Sequence, residues 1–118
     1  MSEATVAKIA VSAATYWLDK PYDYLIPTEL RGRIVPGVRV TVPFSRGNRR
    51  SEGIVLGVSD SSDFDKLKPI ESMLDSTPVL TESQIKLALW MHDRLFCTVY
   101  DAVKTILPAP RGSRLKRL

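Results

Sequence analysis

The segment Leu18-Asp19-Lys20-Pro21-Tyr22-Asp23-Tyr24-Leu25-Ile26-Pro27 decides how this chain is read. Two prolines bracket a run that alternates like a half-buried strand. Pro21 cannot donate to a sheet ladder, so it marks the start of the strand, and Pro27 closes the run. At a period of 2, Tyr22 and Tyr24 share one face and Asp23 points to the other. A single acid on a short strand, flanked by aromatic area, suits a small recognition pocket better than a catalytic centre. On pattern alone a plainer arrangement is favoured, with the rings filling the core and the acid paired to an arginine.

Working outward, Pro36-Gly37-Val38-Arg39-Val40-Thr41-Val42-Pro43-Phe44-Ser45 is a turn leading into an alternating strand, Arg39–Phe44. Ser45–Arg50 is a hairpin connection in which Gly47-Asn48 tolerate positive φ. Before these runs, Thr5–Val11 reads as a strand with one outward charge, Lys8, while Ser12 to Trp17 is open between strand and loop. Tyr22–Ile26 is the second strand and Thr28–Val35 a loop. Gly53–Ser59 is the fourth strand, its two glycines suggesting a bulge or bend. Asp60–Asp65 is an acidic turn without the Gly and terminal Glu of a calcium loop. Lys66–Leu74 is a fifth strand, with Pro69 at an edge or bulge.

The pattern then changes to helix. Thr81-Glu82-Ser83-Gln84 is a capping box opening a helix over about 82–96, with Ile85, Ala88, Leu89, His92 and Phe96 along one stripe. Leu87, Trp90, Met91 and Leu95 widen that stripe, which predicts a largely buried helix. Thr98 caps a second helix, about 99–106, that Pro108 stops. The expected architecture is α+β: a small curled, mainly antiparallel sheet of about five strands followed by two C-terminal helices. Residues 1–108 form one domain, strand-rich over 4–75 and helical over 81–107, and 109–118 read as a basic linker.

With 118 residues, the chain makes one small domain, and an apolar fraction of 44% is too high for disorder. No apolar run nears the about 18 residues of a membrane span, and the start lacks a signal-peptide pattern. One cysteine, Cys97, precludes an internal disulfide and fits a reducing cytoplasm. The net charge of +4 resides in the tail, because residues 1–110 carry as many acids as bases. Within the body charge is sorted: six arginines and no acid fall between Arg31 and Arg50. That stretch is either a solvated basic loop or a phosphate-binding patch, which the planar fork of arginine suits.

Catalytic signatures are missing. There is no Walker-type loop, no Cys-x-x-Cys, no Gly-x-Ser-x-Gly and no His-Glu-x-x-His. A lone His92 builds neither a metal site nor a triad unaided. Cys97 reads as a small buried hydrophobe, and Trp17, Met73, Trp90 and Met91 as core. The chain is expected to be no enzyme and to hold no metal.

Pro21–Pro27, then Pro36–Phe44, then Glu52-Gly53-Ile54-Val55-Leu56-Gly57, Leu67-Lys68-Pro69-Ile70 and Asp75–Thr81 together resemble the N-terminal domain of the primosomal protein N′ (PriA) family of bacterial replication-restart DNA helicases. The similarity covers roughly residues 5–110, and the order and spacing of the runs carry it. The resemblance implies binding of the 3′ end of the nascent leading strand at a stalled or abandoned fork. It makes Asp23 the acceptor for the terminal 3′-hydroxyl and sets Tyr22 against the sugar or terminal base. Ser45, where the family often has Gly, would supply a main-chain contact, and Lys68 would meet a phosphate or the terminal nucleotide. Arg46, Arg49 and Arg50 become phosphate contacts, with Lys66 and Arg39 secondary. The resemblance further implies that this chain is one module of an ATP-dependent 3′-5′ helicase that initiates primosome assembly. ATP, magnesium and zinc would then belong to other domains, with primosome proteins and single-stranded-DNA-binding protein as partners in a cytoplasmic, nucleoid-associated setting. Two other classes remain open: a protein-interaction domain and an RNA-binding β-barrel.

Overall fold

Val6–Val11 (β1) is apolar at every position but Lys8, and it lies between two antiparallel neighbours with both faces covered. In the computed structural model, which describes residues 5–12, 22–44, 47, 49–61, 67–95 and 97–107, β1 pairs with Tyr22–Leu25 (β2) on one side and Arg49–Ser59 (β4) on the other. Arg39–Phe44 (β3) pairs with β4 and with the two-residue strand Ser72–Met73 (β5), giving the order β2-β1-β4-β3-β5. Two helices follow, Glu82–Leu95 (α1) and Val99–Ile106 (α2). The α+β architecture is as the sequence implies, and the sheet is not closed into a barrel.

The curl of the sheet creates two cores. On the inner face Ile9, Tyr24, Val40, Val42 and Val55 meet Ile34, which lies between β2 and β3 in the chain. On the other face Ala10 and Ile54 meet Leu80, Ile85, Val99 and Val103 from the helical half. Alternation along β4 explains the split, since Val55 enters one core and Ile54 the other. Space between β1 and β4 is short at Gly53, where a Cβ would lie 2.5 Å from Ile9 Cγ2. Glycine is needed there for close approach, not for a bend. The bulge falls nearer Gly57, as the register slips between Lys8, paired with Gly57, and Ile9, paired with Val55. Gly37 has φ +96°, and a Cβ on it would run into the Leu80 carbonyl, so the Pro36-Gly37 turn docks directly on the approach to α1.

Two strand boundaries differ from expectation. β4 begins at Arg49, not Gly53, because the register Phe44–Arg49, Pro43–Arg50 and Val42–Ser51 continues the ladder to the hairpin end. The expected fifth strand is divided. Leu25 N–H donates to the Lys68 carbonyl at 2.9 Å and Ile70 N–H to the Leu25 carbonyl at 3.0 Å, making one parallel bridge at Pro69, which lacks a donor. Glu71 N–H then donates to Thr41 and Leu74 N–H to Arg39, each at 2.8 Å. One segment thus serves both edges of the curled sheet, β2 first and β3 next.

The capping box forms in both directions, with Gln84 N–H to Thr81 Oγ1 at 3.1 Å and Thr81 N–H to Gln84 Oε1 at 2.9 Å. Thr98 Oγ1 likewise accepts from Asp101 N–H at 3.0 Å. However, α1 is not largely buried: Leu87, Leu89, Trp90 and Leu95 are exposed, and among its described residues only Ile85 and Ala88 are fully buried. α1 rests on α2, and α2 on β1, so an eight-residue partner covers only a narrow stripe of the longer helix. Trp90 is therefore no core residue, Met73 and Met91 are half-buried, and so is Cys97. Trp17, Phe96 and the 109–118 segment lie outside the described residues.

The two β4 glycines make a controlled test. Gly53→Ala should lower the urea unfolding free energy by about 1–3 kcal/mol through overpacking against Ile9. Gly57→Ala, whose Cβ would meet nothing within 4 Å, should stay within about 0.5 kcal/mol of wild type.

Candidate nucleic-acid interface

β2 is an edge strand of the sheet, and its register against β1 sets Asp23 directly opposite Lys8. Lys8 Nζ lies 3.1 Å from Asp23 Oδ1 and donates to it. The two partners differ in access: the Asp23 side chain is 5% exposed and that of Lys8 58%. The acid is therefore covered but sits at a rim, with its cation reaching into solvent. Lys8 in turn stands opposite Gly57 on β4, where open space replaces a side chain. Among the described residues the ion-pair partner of Asp23 is a lysine, where the plainer sequence reading expects an arginine. Lys8 was visible as the lone charge of β1, but only the register reveals whom it meets.

The tyrosines share the inner face, as the alternation requires. Tyr24 is buried, and its hydroxyl donates to the Pro43 carbonyl at 2.7 Å. Tyr22 is half-buried and meets Phe44 edge to face, with ring centroids 5.2 Å apart. β2 and β3 are not neighbours in the sheet, so both contacts run across the inside of the curl. They bring the end of β3 beside the acid-bearing strand. Ser45 and Arg46, next in the chain after Phe44, lie outside the described residues, as does Lys66. Lys68 is exposed, and its carbonyl holds Leu25 of β2. Tyr22, Asp23 and Lys68 are thereby gathered on and beside one strand.

The arginines separate into different roles. Arg49 and Arg50 lie at the start of β4 and are exposed. Arg50 Nε is 2.7 Å from Glu71 Oε1, a surface pair at the hairpin end. Arg39, a secondary phosphate candidate by sequence, is committed elsewhere. Its guanidinium grips Asp75 through Nε at 2.9 Å and Nη2 at 3.0 Å, and its backbone N–H reaches the same carboxylate at 3.1 Å. Glu52 stands 3.6 Å away on the other side and accepts from the Tyr100 hydroxyl. This network ties β3, β4, the post-β5 loop and α2 together. The Asp75 hydrogen bonds push the Arg39 pKa up, and burial with the Glu52 hydrogen bond pushes Tyr100 up. Asp75, Glu52 and Tyr100 carried no sequence signal, because their contacts span 36 and 48 positions.

His92 is a packed residue, its Nδ1 2.7 Å from the Cys97 carbonyl across the helix junction. Among the described residues no cluster of His, Cys, Asp and Glu could hold a metal ion, and no helix is long and apolar enough to cross a membrane.

Residues 8–108 match the family model of the 3′DNA-binding domain (3′BD). The chain is 40% identical over 113 residues to the replication restart protein PriA of Bacillus subtilis, which covers 94% of this chain and 14% of that protein. It is 33% identical over 106 residues to replication restart protein PriA of Chlamydia muridarum, covering 86% of the chain and 14% of the relative. With the probable replication restart protein PriA of Mycobacterium tuberculosis the figures are 36% over 101 residues, 85% and 15%. The chain thus spans about one seventh of the length of these curated relatives. The match makes it a non-catalytic DNA-binding module. More narrowly, it belongs to the 3′DNA-binding domain family found in the PriA replication restart proteins.

The Tyr24 anchor has a pH signature. Burial, with Tyr22 nearby, pushes its phenol up from 10.0 to about 12. Between those values the unfolded chain has lost this proton and the folded chain keeps it, so stability should fall as pH rises through that window. Tyr24→Phe should be less stable than wild type at pH 8, by about 1 kcal/mol for the lost hydrogen bond. The gap should narrow by pH 11, as followed by urea unfolding.

Proposed function

We propose that this domain reads the 3′-hydroxyl end of a DNA strand at the β2 rim, with Asp23 accepting the hydroxyl's hydrogen bond. The observation that carries the reading is the covered Asp23 carboxylate paired to solvent-reaching Lys8, in a chain of the 3′DNA-binding domain family. A carboxylate accepts from a hydroxyl and repels a phosphate, so it disfavours a strand that continues past its 3′ carbon. Alone it would also repel the phosphates preceding the end; Lys8 at 3.1 Å offsets that repulsion. Tyr22, braced by Phe44, offers its ring to the sugar or terminal base, and stacking of this kind is worth roughly 1–3 kcal/mol for any base. Lys68 meets the last phosphates, and the Ser45 main chain completes the pocket. Arg46, Arg49 and Arg50 hold backbone phosphates further along the DNA, adding affinity without sequence preference.

In this reading the domain serves a replication-restart helicase, placing it on the nascent leading strand of a stalled or abandoned fork so that the primosome assembles there. ATP, magnesium and zinc act in other domains of that polypeptide, with primosome proteins and single-stranded-DNA-binding protein as its partners. The RNA-binding barrel loses its basis, since the sheet does not close.

Fluorescence anisotropy with forked DNA ending in 3′-OH or 3′-phosphate tests the pocket. The phosphate should weaken binding by about tenfold or more, in line with roughly 1.5–3 kcal/mol for a hydrogen bond to a charged group. Asp23→Asn should collapse the difference, and Lys8→Met, which leaves the acid unneutralised, should weaken both ends and the phosphate end more. Equal affinity of the wild-type chain for the two ends would sink the Asp23 assignment and leave family membership untouched. Across a salt titration, Arg49→Ala should lower the log–log slope by about 0.7–0.9. Arg50→Ala should lower it less, because Glu71 already neutralises that side chain.

A further inference from the structure

α1 carries two apolar stripes, and the domain uses one. Ile85, Ala88 and half-buried His92 face the α2 side. Leu87, Trp90, Met91 and Leu95 recur at i, i+3, i+4 and i+8 on the adjacent face. There Leu87 is 45%, Trp90 52% and Leu95 57% exposed, while half-buried Met91 between them also packs against the core shared with α2. The Arg94 guanidinium lies 5.7 Å from the Trp90 ring centroid, at the border of the stripe. Single exposed leucines are ordinary, but a contiguous row of this spacing is the surface by which a helix docks on another protein element.

We propose that this stripe is an interdomain contact, covered by another domain of a PriA-type polypeptide that presents apolar side chains to Leu87 and Leu95 and a carboxylate to Arg94. The inference rests on the reading of the chain as a module of such a polypeptide. Its support is the proportion of that polypeptide lying outside the domain: this chain accounts for 14% of the Bacillus subtilis relative. A DNA strand is a poorer occupant. Leu87, Met91 and Leu95 bear no charge, and one approach to the Trp90 ring already holds a guanidinium.

The test uses a full-length chimera in which this chain replaces the matching 113 residues of the Bacillus subtilis relative. A photoreactive benzoyl-phenylalanine is placed at Leu87, or at exposed Glu29 as a control, and cross-linked peptides are identified by mass spectrometry. The Leu87 probe should join to peptides of the relative beyond the replaced region, and the Glu29 probe should not. Leu95→Glu should cut the Leu87 yield about tenfold, the equivalent of about 1.4 kcal/mol. Cross-links to a second copy, to DNA, or only within this domain would overturn the proposal, as would a yield no greater than that of the control. The 3′-OH comparison on the isolated chain separates the two readings. Lost end discrimination with cross-links intact faults only the pocket, and the reverse faults only the interface.

Discussion

The constraint on which the structure depends is that β1 and β4 have no wet face along their central residues. Ile9 and Val55 look into one core, Ala10 and Ile54 into the other, and Gly53 lets the two backbones close to a distance that no side chain would permit. A strand pair buried on both sides has no room for ionisable groups at its centre. Charges are therefore displaced to the periphery: to Lys8 before the bulge, to the edge strand β2, and to the arginines at the hairpin end. The charged groups from which the proposed site is built sit at the rim because the packing leaves no room for them at the centre.

Closure between the halves follows from the same arrangement. The helices cover the face that carries Ala10 and Ile54, and the Asp75–Arg39–Glu52–Tyr100 network spans the join between sheet and helix. Arg39 thus resembles its sequence neighbours in charge and differs from them in purpose. Nothing local to residue 39 distinguishes it from Arg49. The distinction is made by a carboxylate far along the chain, which charge counting cannot place.

Local rules were legible where the physics is local. The capping box at Thr81–Gln84, the Thr98 cap and the Pro36-Gly37 turn each involve groups a few residues apart, and the structure forms them as read. The misreadings are non-local. The start of β4 looks like loop because two arginines open it, yet pairing with Phe44 and Pro43 extends the ladder through them. The 66–74 run looks like one strand, yet its donors and acceptors are divided between β2 and β3. α1 looks buried because both of its stripes are apolar, and sequence cannot say that its own domain covers only one. For the site, the bracketed Tyr22-Asp23-Tyr24 run pointed to the strand on which the proposed pocket is built. Lys8 reads in the sequence only as an outward charge, since Lys8 and Asp23 are separated by 15 positions and meet only through register.

For the proposed end-reading role, the Asp23–Lys8 pair also removes a difficulty in using an acid to sense a polyanion. An isolated carboxylate at a DNA-binding surface would oppose every phosphate within a Debye length, about 8–10 Å at ordinary salt. Neutralised across the strand by a lysine, it contributes almost no net field at that range. At hydrogen-bonding distance its directional acceptor character persists. On the proposed function, long-range attraction falls to exposed cations such as Arg49 and Lys68, and the short-range choice to the acid. Coverage of the carboxylate strengthens this division. A side chain that is 5% exposed exchanges little with water, so a hydroxyl that reaches it competes with few water partners, whereas a phosphate must desolvate against like charge. An edge strand suits such a role, because β2 presents Asp23 at the margin while Tyr24, one residue on, is bolted to Pro43 in the core. Two adjacent residues on opposite faces thus differ in task, Tyr24 fixing the strand in the core and Asp23, in the proposed reading, choosing between strand ends.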